Sequence, residues 1–443
     1  MKRVSNRWRR RLVLFGIGLL FAGWWWLGTP RYEGRSVACW FEEFSQTATV
    51  QRQPRGRHVQ RAIQGFGTNA VPYLLDQAFA EDWALRLWER AVTTVAGLNA
   101  LAPEEFKEYL RTRADRQSTM SLAAVVWLRY LRPPGPLLLP TLTNHLESSH
   151  QQARFNALLM LGCLDATALP YLRPAFTNQA REVRRVAFSA LLGLGTNAAG
   201  AVPDLIGALD ESGLDRTVLL RNLFQIGAAA RPALPQLRQL WHDETNFHAL
   251  AAIIQIADEP WARDAFCQSL HQRTDRQLRL EALHYLESDT NFRLDVPDEP
   301  PAHMGEMLWP ELLEAAKDGE AEVRYHALAA IGRLNLDTTA LRPWLEGKLR
   351  EPLPVKDNTS ASWNEWHERL WAGDLLLRCD PTNAIALAFL ADRLNDFQAW
   401  QAMDILARLE APSPAALAVL EQATRHRDQS VRDLAMEALG EFR

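Results

Sequence analysis

Small and branched apolar residues recur at fixed helical positions in three separated parts of the chain. Each copy starts with valine, places alanine four and seven residues later, and ends with leucine or isoleucine eight residues later. The copies cover residues 183–191, 323–331 and 431–439, with Ala187, Ala327 and Ala435 at the second position. Offsets of 0, 4, 7 and 8 lie on one face of an α-helix. Two alanines on this face predict that a second helix packs closely against it.

A glycine and a proline mark a period in the first half of the chain. Gly162, Gly195 and Gly227 are 33 and 32 residues apart, and each is followed by a proline eight residues later. These prolines are Pro170, Pro203 and Pro235. Glycine suits the left-handed position after a helix, and proline suits the first turn of the next helix. Each period therefore predicts a helix, a short turn and a second helix. A repeated helix pair of this length is typical of an α-solenoid.

The repeat resembles the HEAT family, in particular its short subtype with the pattern D-x-x-V-R-x-x-A-x-x-A-L. The last copy matches at Asp428 and Arg432, and the middle copy has Asp318 and Arg324 with two extra residues between them. The first copy has Arg184 and an acidic neighbour, Glu182, in place of aspartate. The resemblance implies that the acidic residue and the arginine are structural and tie successive repeats together. About ten repeats, several of them degenerate, would fit between residues 55 and 443.

The N-terminus has the composition of a membrane anchor. An uncharged run of 17 residues, 12–28, follows the basic segment 1–11 and contains Trp24, Trp25 and Trp26 at its end. The run is just long enough to span a bilayer as a helix, and the indoles suit the membrane interface. Basic residues before it predict a cytoplasmic N-terminus and an extracytoplasmic solenoid. A cleaved signal peptide is the alternative, although bulky tryptophan replaces the small residues that a cleavage site needs.

A juxtamembrane segment, 29–54, separates this anchor from the solenoid at 55–443. Residues 32–37, which lead to Trp40, are similar to a motif in predicted membrane-anchored exported HEAT proteins of bacteria. The resemblance supports a location at the cytoplasmic membrane, with a single span and the repeats on its outer side.

Charge limits the partners. The chain has 49 basic and 53 acidic side chains, but seven basic and no acidic residues lie in 1–31, so the rest has a formal charge of −11. A phosphate backbone requires a positive surface, and we therefore expect no nucleic-acid binding. A protein partner is expected instead.

The sequence contains no catalytic or metal-binding motif that we recognise. The 11 histidines have no ligand spacing, and His242 and His248, which flank Asp243 and Glu244, are interpreted as solvated turn residues. There is no Gly-rich phosphate loop and no nucleophile elbow. We therefore expect no cofactor, no metal and no enzymatic activity. The four cysteines lie more than a hundred residues apart and suggest no disulfide framework.

Tryptophans near the end of the chain give a candidate binding site. Trp363, Trp366 and His367 fall within five residues, among charged neighbours. If the two indoles share an exposed helix face, they have the composition of an interface hot spot. Burial of both indoles between repeats is the alternative and the more common case.

The sequence thus predicts an all-α, HEAT-like α-solenoid of helix pairs, preceded by one transmembrane helix. The predicted function is that of a non-enzymatic scaffold that binds another protein. Two alternatives stay open. One is an enzyme built on similar repeats, such as a DNA glycosylase or a phycobilin lyase, and the other is a carbohydrate-binding envelope module.

Overall fold

A computed structural model describes residues 30–48, 57–80, 83–95, 102–211, 213–271, 275–287, 302–352, 360–409 and 412–442. It divides into two compact units, 1–164 and 165–443, which are considered separately below. The predicted transmembrane segment, 12–28, lies outside the described residues. Within the described chain, the single stretch long and apolar enough to cross a membrane is Arg181–Ala208, and 61% of its apolar 18-residue window is buried in the protein core.

The first unit is a small hairpin followed by helices. Its elements are β1 Arg31–Tyr32, β2 Arg35–Ser36, α1 Val37–Ala48, α2 Arg57–Phe66, α3 Val71–Ala78, α4 Trp83–Thr94, α5 Glu104–Leu131, α6 Gly135–Leu146 and α7 Gln151–Leu161. The 28-residue helix α5 packs against α1, α2, α3, α4 and α7. Its buried Trp127 is surrounded by Phe41, Phe44 and Phe66, at ring-centroid distances of 5.5, 5.6 and 6.3 Å. This aromatic cluster is the core of the unit.

Residues 30–48 of the predicted juxtamembrane segment fold into this core. The ring of Tyr32 lies against Gly65, where a Cβ atom would come within 2.3 Å of the ring, so a larger residue could not be accommodated without a shift. Trp40 donates from Nε1 to the carbonyl oxygen of Tyr32 at 3.2 Å, and Arg35 lies 4.3 Å from the indole centroid. The hairpin is therefore fixed on the body of the first unit.

The second unit consists of helix pairs. Its helices are α8 Leu169–Phe176, α9 Arg181–Leu194, α10 Val202–Ala208, α11 Arg216–Ile226, α12 Leu234–Glu244, α13 Phe247–Ala257, α14 Pro260–Leu270, α15 Arg276–Glu287, α16 Ala302–Ala315, α17 Ala321–Arg333, α18 Arg342–Arg350, α19 Ser360–Cys379, α20 Ala384–Arg393, α21 Ala399–Ala407, α22 Pro414–Ala423 and α23 Gln429–Phe442. Each even-numbered helix packs against the odd-numbered helix that follows it, which gives eight pairs in the described part of this unit.

Successive pairs stack in two layers. The odd-numbered helices from α9 to α23 lie side by side, each in contact with the next odd-numbered helix. On the other layer, direct contacts join α14 to α16, α18 to α20 and α20 to α22. Pairs that contact mainly their neighbours are the organisation expected of an α-solenoid. The predicted helical fold, an α-solenoid of helix pairs, is therefore confirmed for the described part of the second unit.

The predicted glycine and proline positions explain the turns between pairs. Gly195 and Gly227 follow α9 and α11 with φ of +54° and +68°, and each begins a short 3-10 helix. Pro203 and Pro235 then occupy the first turn of the next helix. Gly162, in the first unit, differs because its φ is −64°, within the right-handed region. The prediction of a left-handed glycine is wrong there.

The alanine face is buried as its spacing predicts. Ala187, Ala327 and Ala435 have no exposed surface. Val323 and Val431 are also buried, whereas Val183 is only half-buried. Alanine at the seam lets the backbones of adjacent helices approach closely, and the seam holds the layers together.

The three repeat arginines share one pattern of hydrogen bonds. Each donates from Nη1 to the carbonyl oxygens five and six residues before it, so the guanidinium closes the turn that precedes its own helix. Arg184 and Arg324 also reach a carboxylate of the following pair, Glu211 and Glu368 respectively, whereas Arg432 in the last helix contacts Gln429 of its own helix.

The acidic member of the pattern does not pair with the arginine of its own copy. Asp318 accepts from the backbone N–H of Glu320 at 2.8 Å, and from Arg279 of the preceding pair at 2.6 Å. Asp428 accepts from the N–H of Ser430 at 2.8 Å. Asp428 therefore caps the start of α23, whereas Asp318 closes the turn before α17 and links two pairs.

We expect the buried link between α17 and α19 to stabilise the fold far more than an exposed one. Glu368 accepts hydrogen bonds from Nε and Nη2 of Arg324 at 2.7 and 2.8 Å. The arginine side chain is only 10% exposed and the glutamate side chain only 2%. Glu368→Met should lower the free energy of unfolding by about 3–5 kcal/mol, because it leaves a buried guanidinium without its counter-charge. Urea denaturation measures the loss.

The matched control is Glu320→Met. Its pair with Arg276 is 2.6 Å long but half exposed, so its removal should cost about 0–1 kcal/mol. Adding Arg324→Met to Glu368→Met should restore part of the stability. Equal losses for the buried and the exposed variant would contradict the prediction.

Candidate functional site

Contacts between aromatic and imidazole rings join each of four successive odd-numbered helices to the next. We call this series of rings the ring stripe. It consists of His248 on α13, His284 and Tyr285 on α15, Tyr325 and His326 on α17, and Trp363 and His367 on α19. Ring centroids are 4.8 Å apart for His248 and Tyr285, 4.2 Å for His284 and His326, and 5.8 Å for Tyr325 and His367.

The helical register separates the two rings on α17. Val323, Ala327 and Ala330 are buried, and Tyr325 is turned away from their face, whereas His326 lies beside it, three residues after Val323, with a side chain that is only 12% exposed. On α19, Trp363 and His367 are four residues apart and stack at 4.4 Å with their planes within 12°. Nδ1 of His367 lies 2.8 Å from the carbonyl oxygen of Trp363, which fixes the imidazole plane.

The centre of the stripe is a chain of two imidazoles and a carboxylate. Nε2 of His284 lies 3.0 Å from Nε2 of His326, and Nδ1 of His326 bonds to Glu287. A hydrogen bond between the two Nε2 atoms requires that one imidazole donates and the other accepts.

Tyr325 completes this arrangement. Its hydroxyl donates to Glu287 at 3.2 Å. Burial, followed by the charge of Glu287, raises the pKa of Tyr325, so the phenol stays protonated and remains a donor. Glu287 therefore receives hydrogen bonds from both adjacent residues of α17.

The pKa of His284 is lowered from its ordinary value of 6.5. Partial burial is the largest cause, and the adjacent His326 is the second. Three carboxylates oppose these effects, namely Glu287, Glu322 and Glu281. The folded protein therefore resists protonation of this imidazole.

The structure separates the residues of the predicted tryptophan site. Trp363 is 52% exposed, but Trp366 is only 7% exposed and packs 5.3 Å from the ring of Phe397. The guanidinium of Arg393 lies 5.2 Å from the Trp366 centroid. The hypothesis of an exposed tryptophan pair is therefore wrong, because Trp366 lies on the same buried face of α19 as Ser362 and Leu370.

His248 is placed differently from the sequence interpretation. It lies within the first turn of α13 with its ring against Tyr285, whereas His242 is exposed at the end of α12.

The alignment of histidines on successive helices is not among the sequence predictions. The residues His248, His284, His326 and His367 are 36, 42 and 41 residues apart, which is close to one helix pair each time. This spacing could have revealed the stripe.

The stripe is not preformed as a metal site. In the described ranges no group of three His, Cys, Asp or Glu side chains is arranged to hold a metal ion. What the rings offer is a surface with flat apolar faces, imidazole donors and acceptors, and one exposed indole. Such a surface can bind another molecule by stacking and hydrogen bonding.

Comparisons with known proteins add little to this description. No protein-family description and no curated protein matches the chain. Among solved structures, Kap121p is 14% identical, and the match covers 90% of this chain and 49% of that chain with a TM-score of 0.32. Kap121p bound to Nup53p is also 14% identical, and the match covers 91% of this chain and 53% of that chain with a TM-score of 0.33. An engineered protein is 15% identical, with coverages of 90% and 98% and a TM-score of 0.27.

The chain therefore spans about half the length of the Kap121p structures that it matches. Likeness at these TM-scores carries no argument about function. The ring stripe has to be interpreted from its own geometry.

We expect acidification to destabilise the protein partly through His284. Since its pKa is lower in the folded protein than the ordinary 6.5, the unfolded chain binds more protons in the interval between the two values. Stability should therefore fall as the pH drops below about 6.5, and His284→Gln should reduce that fall. Thermal unfolding midpoints at about pH 7.5 and about pH 5.5 measure the difference.

His242→Gln is the control, because this side chain is 88% exposed and touches only Asp243. It should leave the pH dependence as in the unaltered protein. A pH dependence that His284→Gln leaves unchanged would show that the imidazole pair does not titrate in this way.

Proposed function

We propose that this protein is a membrane-tethered, non-enzymatic scaffold that binds another protein through the ring stripe. The observation that carries the proposal is the line of ring contacts across α13, α15, α17 and α19, with Trp363 exposed at one end. Solenoids recognise partners over several adjacent repeats, and an exposed indole beside polar groups is the usual anchor of such contacts.

Charge supports a protein partner over a nucleic acid. The chain after residue 31 has a formal charge of −11, and three glutamates lie close to imidazoles of the stripe: Glu287 bonds to His326, and the charges of Glu281 and Glu322 act on His284. A phosphate backbone would be repelled by such a surface. A sugar could also stack on Trp363, so a glycan is the alternative ligand of the same indole.

The membrane part of the proposal rests on the sequence. Basic residues in 1–11 followed by the uncharged run 12–28 favour a single span with a cytoplasmic N-terminus. The repeats would then be exposed on the outer side of the cytoplasmic membrane.

Trp363→Ala should abolish capture of the partner, because an anchor indole contributes a large share of the contact energy at an interface. The thermal unfolding midpoint should hardly change, since Trp363 is exposed and surface substitutions usually stay within about 0.5 kcal/mol. Co-purification from detergent-solubilised membranes, with the bound proteins identified by mass, provides the measurement.

Trp261→Ala is the matched control, because this indole is also exposed but belongs to α14 in the other layer. It should leave capture intact. Loss of capture in both variants, or in neither, would argue against the stripe as the binding surface. Capture of a polysaccharide in place of a protein would support the glycan alternative.

Topology is tested independently of the partner. Protease added to intact spheroplasts should digest the repeats, whereas a cytoplasmic control protein stays protected. Protection of the repeats until the membrane is lysed would show the opposite orientation. Recovery of the protein without membranes would contradict the tether.

A further inference from the structure

The first unit has an exposed aromatic patch that the proposed scaffold function does not use. We define the aromatic patch as Leu87 and Trp88 on α4 and Phe106 and Tyr109 on α5. The rings of Trp88 and Phe106 lie 5.1 Å apart, and those of Phe106 and Tyr109 lie 6.5 Å apart. Leu87, Phe106 and Tyr109 are all exposed. Apolar residues that adjoin one another at the surface, unlike single ones, indicate a contact with something else.

The patch continues the buried face of α5. Tyr109 and Trp127 are 18 residues apart, which is five helical turns, so they lie on the same side of the helix. At Trp127 this side is covered by Phe41 and Phe44 of α1 and by Phe66 of α2. At Tyr109, half of the side chain is open to solvent. The exposed end of α5, at Tyr109, therefore faces the side on which α1 and α2 cover its other end, at Trp127.

Charges beside the patch are compensated within α5. Glu104 pairs with Lys107 at 2.7 Å, and Glu108 pairs with Arg111 at 3.2 Å. Arg113 donates to the hydroxyl of Tyr109 at 2.7 Å. Aromatic rings with a polar tip, together with basic side chains that can extend to water, suit the headgroup region of a bilayer.

The point where the chain enters the first unit holds this unit close to the predicted span. Pro30 accepts at its carbonyl oxygen from the N–H of Val37 at 3.1 Å, and the hairpin that follows is fixed by Tyr32 and Trp40. The uncharged run ends at Gly28, and two residues reach no further than about 7 Å. A unit attached so closely has to lie at the membrane surface.

We propose that the aromatic patch contacts lipid, so that the first unit lies on the outer leaflet with α5 along the bilayer surface. The end of α5 beside the hairpin, at Trp127, and the aromatic patch, at Tyr109, would then be two contacts roughly 27 Å apart along this helix. This inference rests on the proposed membrane tether, but not on the protein partner or the ring stripe.

Site-specific photo-crosslinking in intact cells tests the orientation. A benzoyl-phenylalanine in place of Tyr109 should form adducts with lipid, detected as a mass shift after protease treatment. Leu122 is the matched control, because it is 51% exposed against 50% for Tyr109 but lies about 220° around α5 from it. The lipid adduct should be several-fold stronger at position 109 than at position 122.

Three results would overturn the inference: equal lipid labelling at both positions, adducts of position 109 with another protein, or adducts between two copies of this chain. Each of them leaves the tether intact, provided that the protein stays in the membrane fraction. Recovery in the soluble fraction would instead refute the tether itself. Thermal unfolding of both labelled variants confirms that the reporter leaves the fold unchanged.

Discussion

A buried guanidinium needs a counter-charge and hydrogen-bond acceptors, and the second unit is organised around this requirement. Arg324 meets it from two directions, through two carbonyl oxygens of the turn before its helix and through Glu368 of the next pair. Arg279 is neutralised by Asp318 and donates to the carbonyl oxygen of Leu270, while its Nη2 atom has no hydrogen-bond partner among the described residues. Since neither charge tolerates isolation in the interior, the spacing and register of α15, α17 and α19 are fixed together.

This register also places the ring stripe. With Arg324 held against Glu368, Tyr325 faces His367 on the next helix, while His326 on the other side reaches His284 and Glu287. The rings contact one another because the ion pair of the adjacent residues, Arg324 and Glu368, fixes the two helices relative to each other. The binding surface proposed for this protein is thus a consequence of the same bonds that stabilise the stack.

The sequence predicts the repeated parts of the fold and fails where a position depends on its neighbours in space. The turns at Gly195 and Gly227, with their prolines, can be predicted because they depend on local backbone geometry. The burial of Trp366 cannot be predicted in this way, because the inward direction of α19 is set by contacts with Phe397 and Arg393, more than twenty residues later. The histidines were missed for a related reason. They are separated by a whole helix pair, so neither helical nor metal-ligand spacing reveals them.

In the first unit, helix length creates the open face. Helix α5 has 28 residues and is about 42 Å long, whereas the 12 residues of α1 span about 18 Å. A short partner can cover only part of an apolar side, and the core around Trp127 occupies that part. The remainder carries Phe106 and Tyr109, which water solvates poorly. The bilayer surface that we propose beside the hairpin would cover this remainder without any further protein element, so the length mismatch would then agree with the proposed position of the anchor.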